Sequence, residues 1–365
     1  MSELIKKIED EVLKYIESLE SVEEGGAAAE YEPVGYEPSE NEMKIVDELN
    51  NANLPQLGIH LIFVGSAILG RQSGMVVAPR GKGKTKVLTL AHFKSGLAVN
   101  PRAYDRITDA AQLNELNNTK TEVMIEDFSN VVNEKELLTC YSTLVTQGRY
   151  EIPGKIKIEN ADTTFWFGIQ PVLLKQLVGM DIWKSMVVDR FPRYYMFYYK
   201  RPAPKRWLEE NEFPELEKLD VYDGEPEMKV DESKIEVIAK VLTGQLSFER
   251  ALGFVKKMLR GHAKLCNRSE VTDDDLKWLS LYVPTMMVER IFVKEIRETT
   301  FDESLYNGIF EYFLNMPEDV SNMKTMLRVF FEQLGCKCYF LGKKVRIEGF
   351  WWHRFRELFD TFSGE

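Results

Sequence analysis

The sequence predicts an α/β fold with a parallel sheet, followed by a helical unit and a C-terminal winged-helix module. Three observations carry this. Between about residues 46 and 200, the short apolar runs MVVA, VMIEDF, TTFWFGI and YYMFYY alternate with helical patterns, and strands separated by helices return parallel to one another. Residues 233–292 then read as helices, as in SFERALGFVKKMLRGHAKL and TDDDLKWLSLYVPTMM. Finally, CYFLGKKVRI places a Gly-Lys-Lys turn between apolar alternations, the mark of a short hairpin.

Taken in order, Leu4, Ile5, Ile8, Val12, Ile16 and Leu19 recur at three- and four-residue spacing and predict an amphipathic helix suited to docking on a protein partner. The stretch SVEEGGAAAEYEPVGYEPSENE lacks periodicity and reads as a flexible tether, so residues 1–45 form a leader. The α/β core spans 46–232. It closes on the Pro- and charge-rich segment KRPAPKRWLEENEFPELEKLDVYDGEPEMKVDES. The helical unit follows over 233–292 and the winged-helix-like module over 293–365.

With 365 residues, 44% of them hydrophobic, the chain can bury two or three ordinary cores. No run approaches the roughly 18 apolar residues of a membrane span, and the charged start has no secretory stretch. The cytoplasm is the expected compartment. Residues 1–48 hold 15 acidic and 4 basic side chains, which accounts for the whole formal charge of −11. The body is therefore balanced, and overall acidity does not exclude nucleic acid. The cysteines Cys140, Cys266, Cys336 and Cys338 are scattered and read as reduced structural thiols rather than a zinc site.

Chemistry enters at VVAPRGKGKTKVL, residues 76–88. The phosphate-gripping pattern G-x-x-x-x-G-K-[ST] wraps a triphosphate in backbone N–H groups, with its Lys on the β/γ oxygens and its hydroxyl on Mg²⁺. Here Ala78 occupies the first position, while Gly81, Gly83, Lys84 and Thr85 supply the rest. About 40 residues downstream, VMIEDF ends a strand in Glu126 and Asp127. Nucleotide hydrolysis needs one carboxylate near Mg²⁺, a role for Glu126 beside Thr85, and a second to polarise water, a role for Asp127. The two motifs together predict a Mg²⁺-dependent ATPase. Between them in space, FWFGIQP ends a strand in Gln170, placed to hold the attacking water or touch the γ-phosphate. Arg190, in DRFPRY, is positioned to neutralise phosphoryl charge across a subunit interface.

The order of APRGKGKT, VMIEDF, FWFGIQP and DRFPRY resembles the AAA+ ATPases, and within them the minichromosome maintenance replicative helicases, over about residues 55–290. The resemblance is strongest over 125–171. It implies a hexameric ring acting on DNA. It further implies that EIPGKIKI is a hairpin projecting into a central channel with Lys155 near its tip, and that 247–276 is a helical lid carrying Arg250 as the arginine that senses the γ-phosphate. The chain departs from the family at Ala78, at the Glu-Asp order of the acidic pair and at Gln170, where the family has Asn. An acidic leader stands where the family has its collar domain.

The expected activity is a DNA helicase or translocase, with Lys343, Lys344 and Arg346 on the wing contacting phosphates. Its alternative is an ATP-dependent loader or assembly switch that binds DNA without unwinding. A protein remodeller ranks last, because such rings use aromatic pore loops and EIPGKIKI offers a Lys tip.

Overall fold

The computed structural model describes residues 33–107, 110–126, 128–152, 155–200, 214–295 and 299–363. The predicted helix over residues 2–20 lies outside these, as do Asp127 and the hairpin residues Pro153 and Gly154.

Among the described residues, seven strands and six α-helices lie between Glu40 and Tyr195. The helix α1 (Glu40–Asn51) is followed by α2 (Leu57–Leu69), β1 (Gly74–Val77) and α3 (Lys84–Thr89), which continues as a π-helical turn over Leu90–Lys94. Next come β2 (Pro101–Tyr104), α4 (Ala110–Asn114), β3 (Lys120–Ile125), α5 (Lys135–Gln147), β4 (Tyr150–Ile152), β5 (Ile156–Ile158), β6 (Asp162–Ile169), α6 (Pro171–Val178) and β7 (Arg193–Tyr195). Five of these strands form one sheet in the order β2-β3-β6-β1-β7, with every pairing parallel. The predicted parallel sheet is thus present, and β6 separates β1 from β3. A parallel sheet covered on both faces demands apolar side chains on both, and Phe165, Trp166 and Phe167 on β6 are all buried. The strand β2 was not legible in PRAY, whose four residues are all partly or well exposed.

The expected tether is shorter than its composition implied. Ser39 caps α1 in a capping box with Glu42, and upstream Val34 and Tyr36 are buried. The polar residues between them look like linker in the sequence, yet the two apolar side chains dock on the body.

The remaining elements are β8 (Glu227–Met228), α7 (Glu232–Val241), α8 (Phe248–Leu265), β9 (Glu270–Val271), α9 (Asp273–Met287), α10 (Glu289–Phe292), β10 (Val293–Glu295) and β11 (Thr299–Phe301). The chain ends with α11 (Glu303–Asn315), α12 (Lys324–Gln333), the antiparallel hairpin β12 (Lys337–Leu341) and β13 (Lys344–Glu348), and α13 (Phe350–Ser363). The helix α2 is apolar all round and buried along nearly its whole length, as expected of a helix with neighbours on every side. Its main neighbour is α8, and their backbones touch. A Cβ on Gly261 would collide with the carbonyl of Ser66, and one on Gly70 with that of Lys257. The helical unit is therefore joined to the sheet domain through a closely packed pair of helices.

Candidate nucleotide site

Every candidate position in the loop, and the ends of two neighbouring strands, gather at one edge of the sheet. In a parallel sheet all strands end at the same edge, so β1, β6 and β3 deliver Ala78, Gln170 and Glu126 side by side. Register fixes this, since Val77 faces Ile169 and Ile125 faces Phe167. Ile125 lies level with Met75, two residues short of the end of β1, so with strands about 4.8 Å apart the ends of β1 and β3 lie ~12 Å from one another, a span that a metal-bound triphosphate can bridge.

The loop after β1 owes its path to its glycines. Gly81 and Gly83 have φ of +72° and +89°, the left-handed region that side chains avoid. At Gly83 a Cβ would also stand 2.9 Å from the Tyr198 hydroxyl. The turn then feeds α3, whose first residue is Lys84. Its ammonium donates to the carbonyls of Ala78 and Pro79, each at 2.9 Å, so it folds back over the concavity of its own loop. The side chain is buried, and burial pushes its pKa down to about 8. Among the described residues no carboxylate pairs with it. A buried cation held only by carbonyl dipoles is a site that an anion would complete.

Gln170 stands between β6 and α6 as the N-cap residue, with Pro171 at the first helical position. Nearby on β6, Gly168 faces Lys84, whose Cβ would lie in ordinary contact, 3.4 Å, with a Cβ placed there. Glu126 is exposed at the tip of β3, and its N–H donates to the Tyr104 carbonyl at 2.9 Å. Thr85 is half-buried in the first turn of α3. Asp127, the carboxylate next to Glu126, lies outside the described residues.

The two arginines go elsewhere. Because Arg193 of β7 faces Met75, Arg190 lies at the edge where the strands begin, opposite the loop that follows β1. Its Nε donates to Thr146 Oγ1 at 2.9 Å and its Nη1 to the Met186 carbonyl at 3.1 Å. Burial, and then the neighbouring Arg250, lower its pKa. Arg250 sits at that same edge. The Ser247 N–H just before it donates to Asp189 at 2.6 Å, and further along α8 the Lys257 ammonium donates to the Arg71 carbonyl ahead of β1. The residue expected to sense the γ-phosphate is thus carried on α8 at the strand-starting edge, where that helix packs on α2.

Sequence reading missed the residues that brace the loop. The Tyr198 hydroxyl donates to the Lys82 carbonyl at 2.8 Å, and the Tyr306 hydroxyl to the Val77 carbonyl at 3.2 Å. Glu311 pairs with Lys82 at 3.2 Å, and the same ammonium lies over the Phe310 ring. Helix α11 thus touches the loop directly. Only the aromatic run YYMFYY hinted at this, and it reads as an ordinary strand.

The proposed nucleic-acid contacts lie on two hairpins. Lys155 is exposed in the turn between β4 and β5, its N–H donating to the Ile152 carbonyl at 3.0 Å. On the β12–β13 hairpin Lys343, Lys344 and Arg346 are all exposed. However, Lys343 pairs with Asp319 at 2.9 Å and Arg346 with Glu348 at 2.6 Å. Tyr339 and Leu341 are exposed on the same hairpin. No described helix is long and apolar enough to cross a membrane.

No known protein family matches this chain, and no curated protein does. Among solved structures, one described as "The A form apo structure of NrS-1 C terminal region-CTR" is similar over 87% of this chain and 79% of that one, at 12% identity and a TM-score of 0.25. A likeness that loose carries no argument about function.

Proposed function

We propose that the chain is a P-loop ATPase of AAA+ type that acts on DNA as an oligomeric ring, as a helicase or translocase. The observation that carries the reading is Lys84, a buried ammonium turned into a two-glycine loop at the end of a central parallel strand. ATP binds there with Mg²⁺ held by Thr85 and Glu126. Asp127 polarises the attacking water and Gln170 orients it. Arg190 supports assembly into a ring, because a guanidinium at the opposite edge of the sheet serves a neighbour's nucleotide rather than its own. Within this reading α7–α9 correspond to the lid, and α11–α13 with the β12–β13 hairpin to a winged helix.

The test is ATP binding and steady-state hydrolysis by the wild type and by Lys84→Ala, with and without DNA. Wild-type affinity in the variant would reduce the loop to a basic turn. A loader or assembly switch is the second reading, favoured by the ion pairs that engage Lys343 and Arg346 on the wing. Strand displacement on a forked duplex separates the two, since a loader binds and hydrolyses without unwinding.

A further inference from the structure

Outside the proposed nucleotide site, α1, α8 and α9 bring together a buried cluster of donor atoms. His262 lies in the last turn of α8 and Cys266 is its C-cap residue, one turn on, while Glu42 reaches them from α1. His262, Glu42 and Asp275 are fully buried. The imidazole is fixed in orientation, since it stacks on Trp278 at 4.0 Å with the planes 10° apart. Its Nδ1 bonds Asp275 Oδ1 at 2.6 Å.

The other ring nitrogen, Nε2, has Tyr36 Oη at 3.0 Å, Glu42 Oε1 at 3.2 Å and Cys266 Sγ at 3.4 Å. Tyr36 donates its hydroxyl proton to Glu42 Oε2, so an imidazole nitrogen, a carboxylate, a thiol and a phenol converge on one small buried volume. A single metal ion can take all of them as ligands. Bond lengths of about 2.0–2.3 Å from Zn²⁺ to N, O and S make the edges of a coordination tetrahedron ~3.3–3.7 Å. The His262–Glu42 and His262–Cys266 separations are near that range, and Cys266 Sγ stands 3.8 Å from Glu42 Oε2. A carboxylate on the far nitrogen is the usual partner of a metal-bound imidazole, and Asp275 occupies that position.

Charge agrees with this arrangement. Asp275 is answered by Arg268 at 2.6 Å. Glu42 and a Cys266 thiolate would together be answered by one divalent ion, with His262 neutral.

The geometry points to a structural site for a borderline-soft divalent cation, of which Zn²⁺ is the best fit, held by Glu42, His262 and Cys266 with Tyr36 or a water as the fourth donor. Such an ion ties α1 to α8 across 220 positions of sequence. It thereby fixes the segment through which the leader enters the body. The site stands independently of the nucleotide reading.

The experiment uses the full chain, stripped with a chelator and titrated with Co²⁺. The expected result is one tetrahedral Co²⁺ per chain with a thiolate-to-cobalt charge-transfer band, which Zn²⁺ displaces. That band disappears in Cys266→Ala and persists in Cys140→Ser and Cys338→Ser. Asp275→Asn should weaken the site by about 10–100-fold. In the wild type, with no variant needed, Zn²⁺ should protect Cys266 from alkylation while leaving Cys338 reactive, read by peptide mass mapping. Absence of a thiolate band with unaltered alkylation of Cys266 would overturn the proposal and leave the cluster as a hydrogen-bonded network. A band that survives Cys266→Ala would overturn it too.

Discussion

Lys84 reaches back across its own loop to the carbonyl of Ala78, 2.9 Å from Nζ, and so stands ready for an anion while shielded from water. Its depressed pKa sets a direction for pH effects. Below about 8 the nucleotide-free fold bears the cost of a buried charge, and that cost is relieved as pH rises from about 8 toward the ordinary lysine value. The difference corresponds to about 3 kcal/mol at most. Chemical denaturation between pH 7.5 and 10, compared with Lys84→Met, should show this gain in the wild type alone, over a range set by roughly that pKa. ATP affinity should fall over the same range, because the ammonium is lost. A flat affinity profile would remove Lys84 from the binding site.

Arg190 and Arg250 share one edge of the sheet, and complementation tests what that means. Arg190→Ala should lower ATPase by roughly a thousandfold if it acts as a finger in trans. Mixing it with Lys84→Ala subunits should restore part of the activity, since intact sites form between unlike partners. Arg250→Ala should be rescued by Lys84→Ala in the same way, yet not by Arg190→Ala. Rescue between the two arginine variants would return Arg250 to its own chain's nucleotide.

The buried pair of Arg193 and Glu289 joins the sheet to α10 through two bonds, Nε to Oε2 at 2.8 Å and Nη2 to Oε1 at 2.6 Å. Tyr195 adds a third bond to the same carboxylate at 2.9 Å. Removing one partner strands a charge away from water, so Glu289→Ala should cost about 3–5 kcal/mol in urea unfolding. A loss below about 1 kcal/mol would mean that water reaches Arg193 when the pair opens.

If the β12–β13 hairpin contacts DNA as proposed, its ion pairs compete with phosphate. Asp319→Asn frees Lys343 and should tighten DNA binding and steepen its dependence on salt, whereas Lys343→Ala with Lys344→Ala should do the opposite for every sequence. Lys155→Ala should abolish DNA stimulation of ATPase while leaving basal turnover unchanged. Fluorescence anisotropy across a salt series reads the wing variants, and unaltered slopes would exclude the wing from the DNA surface.

Local pattern determined a good deal of this protein. The run MVVAPRGKGKT shows strand, turn and helix start through β-branched residues, two glycines and a lysine, and each of those signals acts over a few residues. The same holds for the β6 strand and for the β12–β13 hairpin, whose alternation and turn are legible without any partner, whereas the β4–β5 hairpin was expected only from the family resemblance. Tertiary structure decided what depends on contacts between distant segments. Strand order put β6 between β1 and β3, and parallel pairing sent Arg190 to the edge opposite the loop. The glycine crossing of α2 and α8 carried Arg250 with it, and the docking of Val34 and Tyr36 shortened the tether. The cluster of Glu42, His262 and Cys266 was invisible for the same reason: its members are scattered in sequence, and only packing of α1 on α8 makes them neighbours. Periodicity and motif record what a segment does alone, whereas burial and charge pairing are properties of segments that have met.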